Sequence, residues 1–180
     1  MIVDTALKDG SFENFPLRIV ASTLLVQAAI YILGAYIVLQ FGLVFLAIYI
    51  ACVLGLEYRV LRHSCVNCSY YGMTCCFGRG RLCALIFRKG DPKRFRERKI
   101  GWVDILPDFL ISTIPLLLGI ILLVLRFDVL LLAVVVALAL LAFPGTGFIR
   151  SRWACRYCRQ RQVGCPAEHL FGRKGPEEAR

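Results

Sequence analysis

Four long runs of apolar residues constrain this 180-residue chain more than any other feature. They are uncharged apart from Arg18, and they comprise Leu17–Leu39, Phe41–Leu56, Phe109–Leu125 and Val129–Phe143. At about 1.5 Å per residue, a helix over the first run covers about 34 Å, enough to cross a hydrocarbon core of about 30 Å. None of the runs has the polar face of a surface helix in a soluble protein. We therefore predict an all-α integral membrane protein with four transmembrane helices.

The short connections between these runs predict two tight helical hairpins. Gln40 and Gly42 mark the first turn, and Arg126-Phe127-Asp128 mark the second. The predicted organisation is an N-terminal segment over 1–16, a hairpin over 17–56, a cysteine-rich basic loop over 57–101, a second hairpin over 102–143 and a cysteine-rich tail over 144–180.

Basic residues are concentrated in the predicted loop and tail. The net charge is +10, and of the 22 Lys and Arg residues 11 lie in 57–101 and 8 in 144–180. Short segments rich in Lys and Arg stay on the cytoplasmic side of a membrane. We therefore expect a multi-pass protein of the cell membrane with both termini, the loop and the tail in the cytoplasm.

The cysteines outside the apolar runs contain an internal repeat. Two copies of the spacing C-x2-C-x6-C are formed by Cys65, Cys68 and Cys75, and by Cys155, Cys158 and Cys165. Each copy follows a pair of apolar runs, and each is followed by a related string, FGRG at 77–80 and FGRKG at 171–175. The pattern predicts a duplicated unit of one hairpin and one cysteine module, in parallel orientation.

The repeated spacing predicts metal binding by each module. Cytoplasmic thiols stay reduced, which disfavours disulfides. Two thiolates at C-x2-C spacing can bind one ion from a tight turn, and a third nearly completes a tetrahedral site. His169 is the expected fourth ligand of the second module. For the first module Cys76, Cys83 and His63 compete, and Cys83 is expected because Cys76 adjoins Cys75.

The identity of the metal is less constrained than its presence. Zinc is expected, because closed sites of four thiolates, or of three thiolates and one histidine, are typical of structural zinc. An iron–sulfur cluster is the alternative, since Cys165-Pro166 resembles the Cys-Pro that ends many cluster motifs. A third arrangement pools cysteines of both modules around one site.

A basic segment precedes the third apolar run, and we call it the basic collar. It has seven basic residues in twelve positions: Arg88, Lys89, Lys93, Arg94, Arg96, Arg98 and Lys99. Juxtamembrane clusters of this kind attract anionic lipid with about 1 kcal/mol per basic residue. Anionic lipid headgroups are therefore the expected partners of the collar.

These features favour a binding protein over an enzyme, and no catalytic residue is predicted. Zinc would stabilise a cytoplasmic cap that docks a protein partner or lipid, and motifs for nucleic-acid binding are absent. The alternatives are a membrane iron–sulfur electron-transfer protein and a protein that handles or transports soft metals with its thiols. The apolar runs contain no acidic or basic residue at their centres, which argues against a charged ion pathway. Small residues at Ala47, Ala51 and Gly55 are typical of close helix packing, and a homodimer is one expected use.

Overall fold

The computed structural model describes residues 10–97 and 102–165. Across these ranges the regular structure is helical, without a β-strand. Four helices within them are long and apolar enough to cross a membrane: Leu17–Leu39, Leu43–Asn67, Leu106–Leu125 and Val129–Ala154. The predicted all-helical class with four span-capable helices is therefore confirmed.

The helices follow the apolar runs closely at some ends and extend beyond them at others. Their bounds are α1 Leu17–Leu39, α2 Leu43–His63, α3 Arg79–Ile86, α4 Pro92–Glu97, α5 Trp102–Leu125, α6 Val129–Leu140, α7 Thr146–Ile149 and α8 Arg159–Gly164. A single 3-10 turn, Cys65–Asn67, follows α2. Helix α2 continues past Leu56, where the apolar run ends, and so brings Glu57 into the helix.

Helix α1 lies at the centre of the fold and contacts α2, α5 and α6. The main buried cluster joins α1, α5 and α6 through Ile30, Ile37, Leu122, Leu131, Val135 and Leu138. Gly34 and Gly119 allow neighbouring helices to approach each other closely. A Cβ atom at Gly34 would collide with the Tyr49 side chain of α2, and one at Gly119 would collide with Val135 of α6.

The small-residue stripe on α2 lies outside this packing. Ala47, Ala51 and Gly55 are exposed, and a Cβ atom added at Gly55 would have nothing within 4 Å. Close approach of helices within the chain thus uses the glycines of α1 and α5, and the stripe remains on the outer surface of α2.

The last long helix continues without a break through two π-helical stretches. Helix α6 runs into Leu141–Gly145, then α7, then Arg150–Ala154. Pro144 lies in the first stretch, and the Thr146 hydroxyl donates to the Leu141 carbonyl at 2.9 Å. The Leu141 carbonyl also accepts from the Thr146 amide five residues further on, which is the hydrogen-bond spacing of a π-helix.

Three segments that are far apart in sequence meet at one end of the bundle, and we call this assembly the cap. The Phe12 amide donates to the Tyr157 carbonyl at 3.1 Å, and the Phe15 amide donates to the Thr74 carbonyl at 2.9 Å. These bonds tie the N-terminal segment to both cysteine-rich segments. The cap comprises residues 10–16, 64–78 and 155–165.

Candidate metal centre

An apolar cluster at the centre of the cap contains cysteines from both modules. Its buried members are Phe15, Val20, Tyr70, Cys76 and Ala154. Cys68 and Cys75 of the first module and Cys158 of the second are partly buried against it. The two predicted modules are thus neighbours around one apolar centre.

Two buried polar side chains connect the modules next to their cysteines. Gln160 is only 4% exposed, and its Oε1 accepts hydrogen bonds from the Ser69 amide at 2.9 Å and the Ser69 hydroxyl at 2.7 Å. The Tyr70 hydroxyl accepts from the Arg159 amide at 3.0 Å and donates to the Phe12 carbonyl at 2.6 Å. Residues that follow Cys68 are therefore bonded to residues that follow Cys158.

The four cysteines predicted for the first module come from three different local structures. Cys65 begins the 3-10 turn, Cys68 follows it, Cys75 lies in the loop and Cys83 lies on α3. Cys65 interacts electrostatically with the other three. Cys83 is completely buried, and its thiol donates to the Leu61 carbonyl at an S···O distance of 3.6 Å.

The second module lies around the short helix α8. Cys158 precedes this helix and Cys165 follows it, and the two interact electrostatically. Cys158 also interacts with Cys68, and Cys76 interacts with both Cys155 and Cys158. Thiols of the two modules are therefore close enough to influence one another.

None of the nine cysteines, all of which the structure describes, forms a disulfide bond. Among the residues that the structure describes, no group of three His, Cys, Asp or Glu side chains is arranged to hold a metal ion. His169, the expected fourth ligand of the second module, lies outside the described residues. The structure thus brings the predicted thiols into one neighbourhood without closing a coordination sphere around a common point.

Burial determines the protonation of these thiols in the absence of a cation. It raises the pKa of Cys76 and of Cys158 to about 12, and it raises the pKa of Cys68 as well. Neighbouring thiols add to the effect, since a second thiolate would repel the first. The thiolate is the form that binds metal, so a cation entering this cluster would release protons.

Cys76, which competed with Cys83 as the fourth ligand of the first module, belongs to the cluster, and so does the N-terminal segment, which the sequence gives little reason to expect. Cys76 is 4% exposed, and the Thr23 hydroxyl of α1 donates to its carbonyl at 2.5 Å. Phe15 is 2% exposed in the same cluster, and Asn14 accepts a hydrogen bond from the Thr74 amide. Paired aromatic residues in a short polar segment are the one signal that could have indicated this role.

The basic collar lies beside the cap and is open to solvent over the part that the structure describes. Its described basic side chains are all exposed: Arg88, Lys89, Lys93 and Arg94. The Gly90 amide donates to the Val66 carbonyl at 3.1 Å, which joins the collar to the turn that contains Cys65. The side chain of Arg96 and residues Arg98 and Lys99 lie outside the described part of the chain.

Comparisons with protein-family models, with curated proteins and with solved structures find no match to this chain. The class of this protein is therefore stated from its own sequence and structure. Over residues 10–97 and 102–165 it is a helical protein with four span-capable helices and with a cluster of cysteines outside disulfides in a cap at one end of the bundle.

Proposed function

We propose that this chain is an integral membrane metal-binding protein whose two cysteine modules bind zinc and thereby stabilise a cytoplasmic cap. The observation that carries the proposal is the shared apolar cluster of Cys68, Cys75, Cys76 and Cys158. Thiols gathered in an apolar cluster are poorly solvated as thiolates, and a thiophilic cation would compensate for the lost solvation. Because cysteines of both modules share this cluster, the grouping favours one metal site built from both modules over two separate sites.

Metal would supply the stability that the cap lacks as a protein core. The apolar cluster of the cap has five buried members, of which Phe15 and Tyr70 are the large ones. Structural zinc contributes about 10–16 kcal/mol of binding free energy in isolated zinc-finger peptides. A site of this strength would fix the loop and the tail against the N-terminal segment and present a rigid surface.

The proposed topology places the cap in the cytoplasm. Two hairpins with outward-facing turns would put the three cap segments on one side, and the basic loop and tail follow the positive-inside rule. The collar would contact anionic headgroups, and the cap would dock a protein partner. The exposed stripe of Ala47, Ala51 and Gly55 would form the helix contact surface of a homodimer.

Iron–sulfur electron transfer is the second candidate. Contribution of cysteines from both modules to one buried cluster is the observation that favours it, because a polynuclear cluster also takes thiolates from separate segments. Thiol-based handling of a soft metal would use the same residues, with the exposed Cys155 as an entry point.

Elemental analysis and an anaerobic visible spectrum of the detergent-purified protein test the proposal. We expect one or two zinc ions per chain and a colourless sample. Replacement of Cys155 and Cys158 by Ser should lower the zinc content, whereas Cys52→Ser, on the exposed surface of α2, should leave it unchanged. Iron with sulfide and a brown colour would establish the second candidate. Metal-free protein after expression in zinc-supplemented medium would refute metal binding.

A further inference from the structure

The two cysteines of the C-x2-C sequence in each module lie at opposite ends of a tight turn. The Cys158 amide donates to the Cys155 carbonyl at 3.4 Å, and the Cys68 amide donates to the Cys65 carbonyl at 3.3 Å. A hydrogen bond of this spacing closes a turn whose end Cα atoms lie less than about 7 Å apart. Disulfides join Cα atoms that are about 4.4–6.8 Å apart. The backbone therefore places each pair at a spacing that a disulfide can bridge.

The turn of the second module is anchored on both sides. The Cys155 amide donates to the Arg150 carbonyl at 2.8 Å, which ties the start of the turn to the end of the last long helix. The Arg159 amide donates to the Tyr70 hydroxyl at 3.0 Å, which ties the far end of the turn to the loop. Joining the sulfurs of Cys155 and Cys158 therefore requires rotation of two side chains and leaves these backbone contacts in place.

The two thiols of the second module differ in their access to water. Cys155 is exposed and directly follows the span-capable helix that ends at Ala154, whereas Cys158 is partly buried in the apolar cluster of the cap. A reversible thiol sensor combines an accessible thiol, which meets the oxidant, with a neighbouring thiol that resolves the product. In the first module Cys65 and Cys68 are both half-buried. That module has the same turn without an exposed thiol and provides a comparison within the chain.

We propose that Cys155 and Cys158 form a reversible disulfide site whose oxidant is a hydroperoxide. The site goes beyond metal binding, because the pair can be oxidised with or without a bound ion. Disulfides that form among cytoplasmic thiols are usually transient and redox-sensing, which agrees with the proposed topology. One consequence rests on the proposed function: where zinc is bound, the disulfide removes the sulfur of Cys158 from the metal and releases the ion.

The reaction balances over two steps. The Cys155 sulfur attacks one oxygen of hydrogen peroxide, the O–O bond breaks, and the other oxygen leaves as water with the thiol proton, so that Cys155 becomes a sulfenic acid. The Cys158 sulfur then attacks the Cys155 sulfur, the S–O bond breaks, and the hydroxyl leaves as a second water with the Cys158 proton. The two thiols lose two electrons and the peroxide gains two. A dithiol restores both thiols by exchange.

Peptide mapping by mass spectrometry tests the pairing in the full chain, treated with hydrogen peroxide in detergent. Trypsin cleaves after Arg156, between the two cysteines, so a disulfide holds two peptides together until a dithiol reduces it. We expect linked peptides of Cys155 and Cys158, formed at least tenfold faster than a disulfide within the first module. Equal rates in both modules would overturn the proposal. Linkage of Cys155 to Cys76, with which it interacts, or to a second chain would also overturn it.

Two serine variants test the roles of the two thiols. Cys158→Ser should leave a sulfenic acid on Cys155, which dimedone traps, and Cys155→Ser should slow the oxidation of Cys158 at least tenfold. Cys52→Ser, on the exposed surface of α2, is the matched control and should retain the wild-type rate of linkage. Equal dimedone labelling of the remaining thiol in both variants of the pair would refute the assignment of Cys155 as the thiol that meets the oxidant.

The same mapping on chelator-treated protein separates this proposal from metal binding. Linked peptides in the metal-free chain support the disulfide site whatever the metal content of the purified protein. Their absence from the metal-free chain would overturn the disulfide site and leave zinc binding intact. Zinc-loaded protein should release zinc in proportion to the linked peptides, and zinc retained by fully linked chains would refute the control of metal content by this pair.

Discussion

Gln160 should control how often the cap opens in the metal-free protein. Gln160→Met keeps the approximate shape of the side chain but removes the oxygen that accepts from the Ser69 amide and hydroxyl. Each bond contributes about 1 kcal/mol net, so the loss is about 2 kcal/mol. At 1.4 kcal/mol for each factor of ten, the open fraction should rise about 30-fold. Ser69→Ala removes only the hydroxyl bond and should raise the open fraction about fivefold.

Alkylation of Cys158 followed by mass spectrometry measures this opening. In the closed cap burial raises the pKa of Cys158 to about 12, so the thiol has almost no thiolate at pH 7.5. An opened cysteine has a pKa of about 8.5 and is about one-tenth ionised at the same pH. When reclosing is fast, the alkylation rate is proportional to the open fraction. Wild-type rates in Gln160→Met, or faster alkylation in Ser69→Ala than in Gln160→Met, would refute the reasoning.

Three further predictions concern packing, pH and lipid. Gly80→Ala should lower the free energy of unfolding by about 2 kcal/mol or more in a denaturant titration, because the added Cβ would collide with two backbone carbonyl oxygens of the loop. Gly55→Ala is the control: the added Cβ has open space, and the free energy of unfolding should not change. The metal-free cap should be stable below pH 8.5 and should lose stability as the pH rises towards about 12. The reason is that burial raises the pKa of Cys158, so the thiol of the unfolded chain ionises at a lower pH than the thiol of the folded chain. Circular dichroism melts without this alkaline loss of stability would contradict the burial of Cys158. Lys93→Gln with Arg94→Gln should weaken binding to anionic liposomes about tenfold or more at low salt, and unchanged sedimentation would show that these exposed charges do not contact lipid.

The span-capable helices were predictable because a bilayer imposes a simple condition on composition. A run of about 20 apolar residues without charge specifies a helix whatever its neighbours are, and α1 has the same bounds as its apolar run. The far end of α2 was not predictable in this way. Glu57 follows the apolar run, yet α2 continues through it to His63, and Tyr31 and Arg79 donate hydrogen bonds to its carboxylate.

The candidate site was predictable in its residue types and not in its arrangement. The C-x2-C-x6-C spacing identifies Cys68 and Cys158 as members of two modules, but spacing is a local property. Their contact depends on Gln160 and Tyr70, whose bonds join residues about 90 positions apart. Cys76 is held against α1 by the hydrogen bond from Thr23, and the cysteine repeat contains no signal for this contact.

The composition of the cap has a consequence for the order of its assembly during synthesis. Its first segment leaves the ribosome before α1, and its last follows the helix that ends at Ala154. The apolar surfaces of Phe15 and Tyr70 therefore stay partly uncovered until the last long helix and the segment after it have been synthesised. A cell that handles this chain would need to protect those aromatic residues and the neighbouring thiols throughout translation. A truncated product that lacks the tail should expose both and be an early target of quality-control proteolysis.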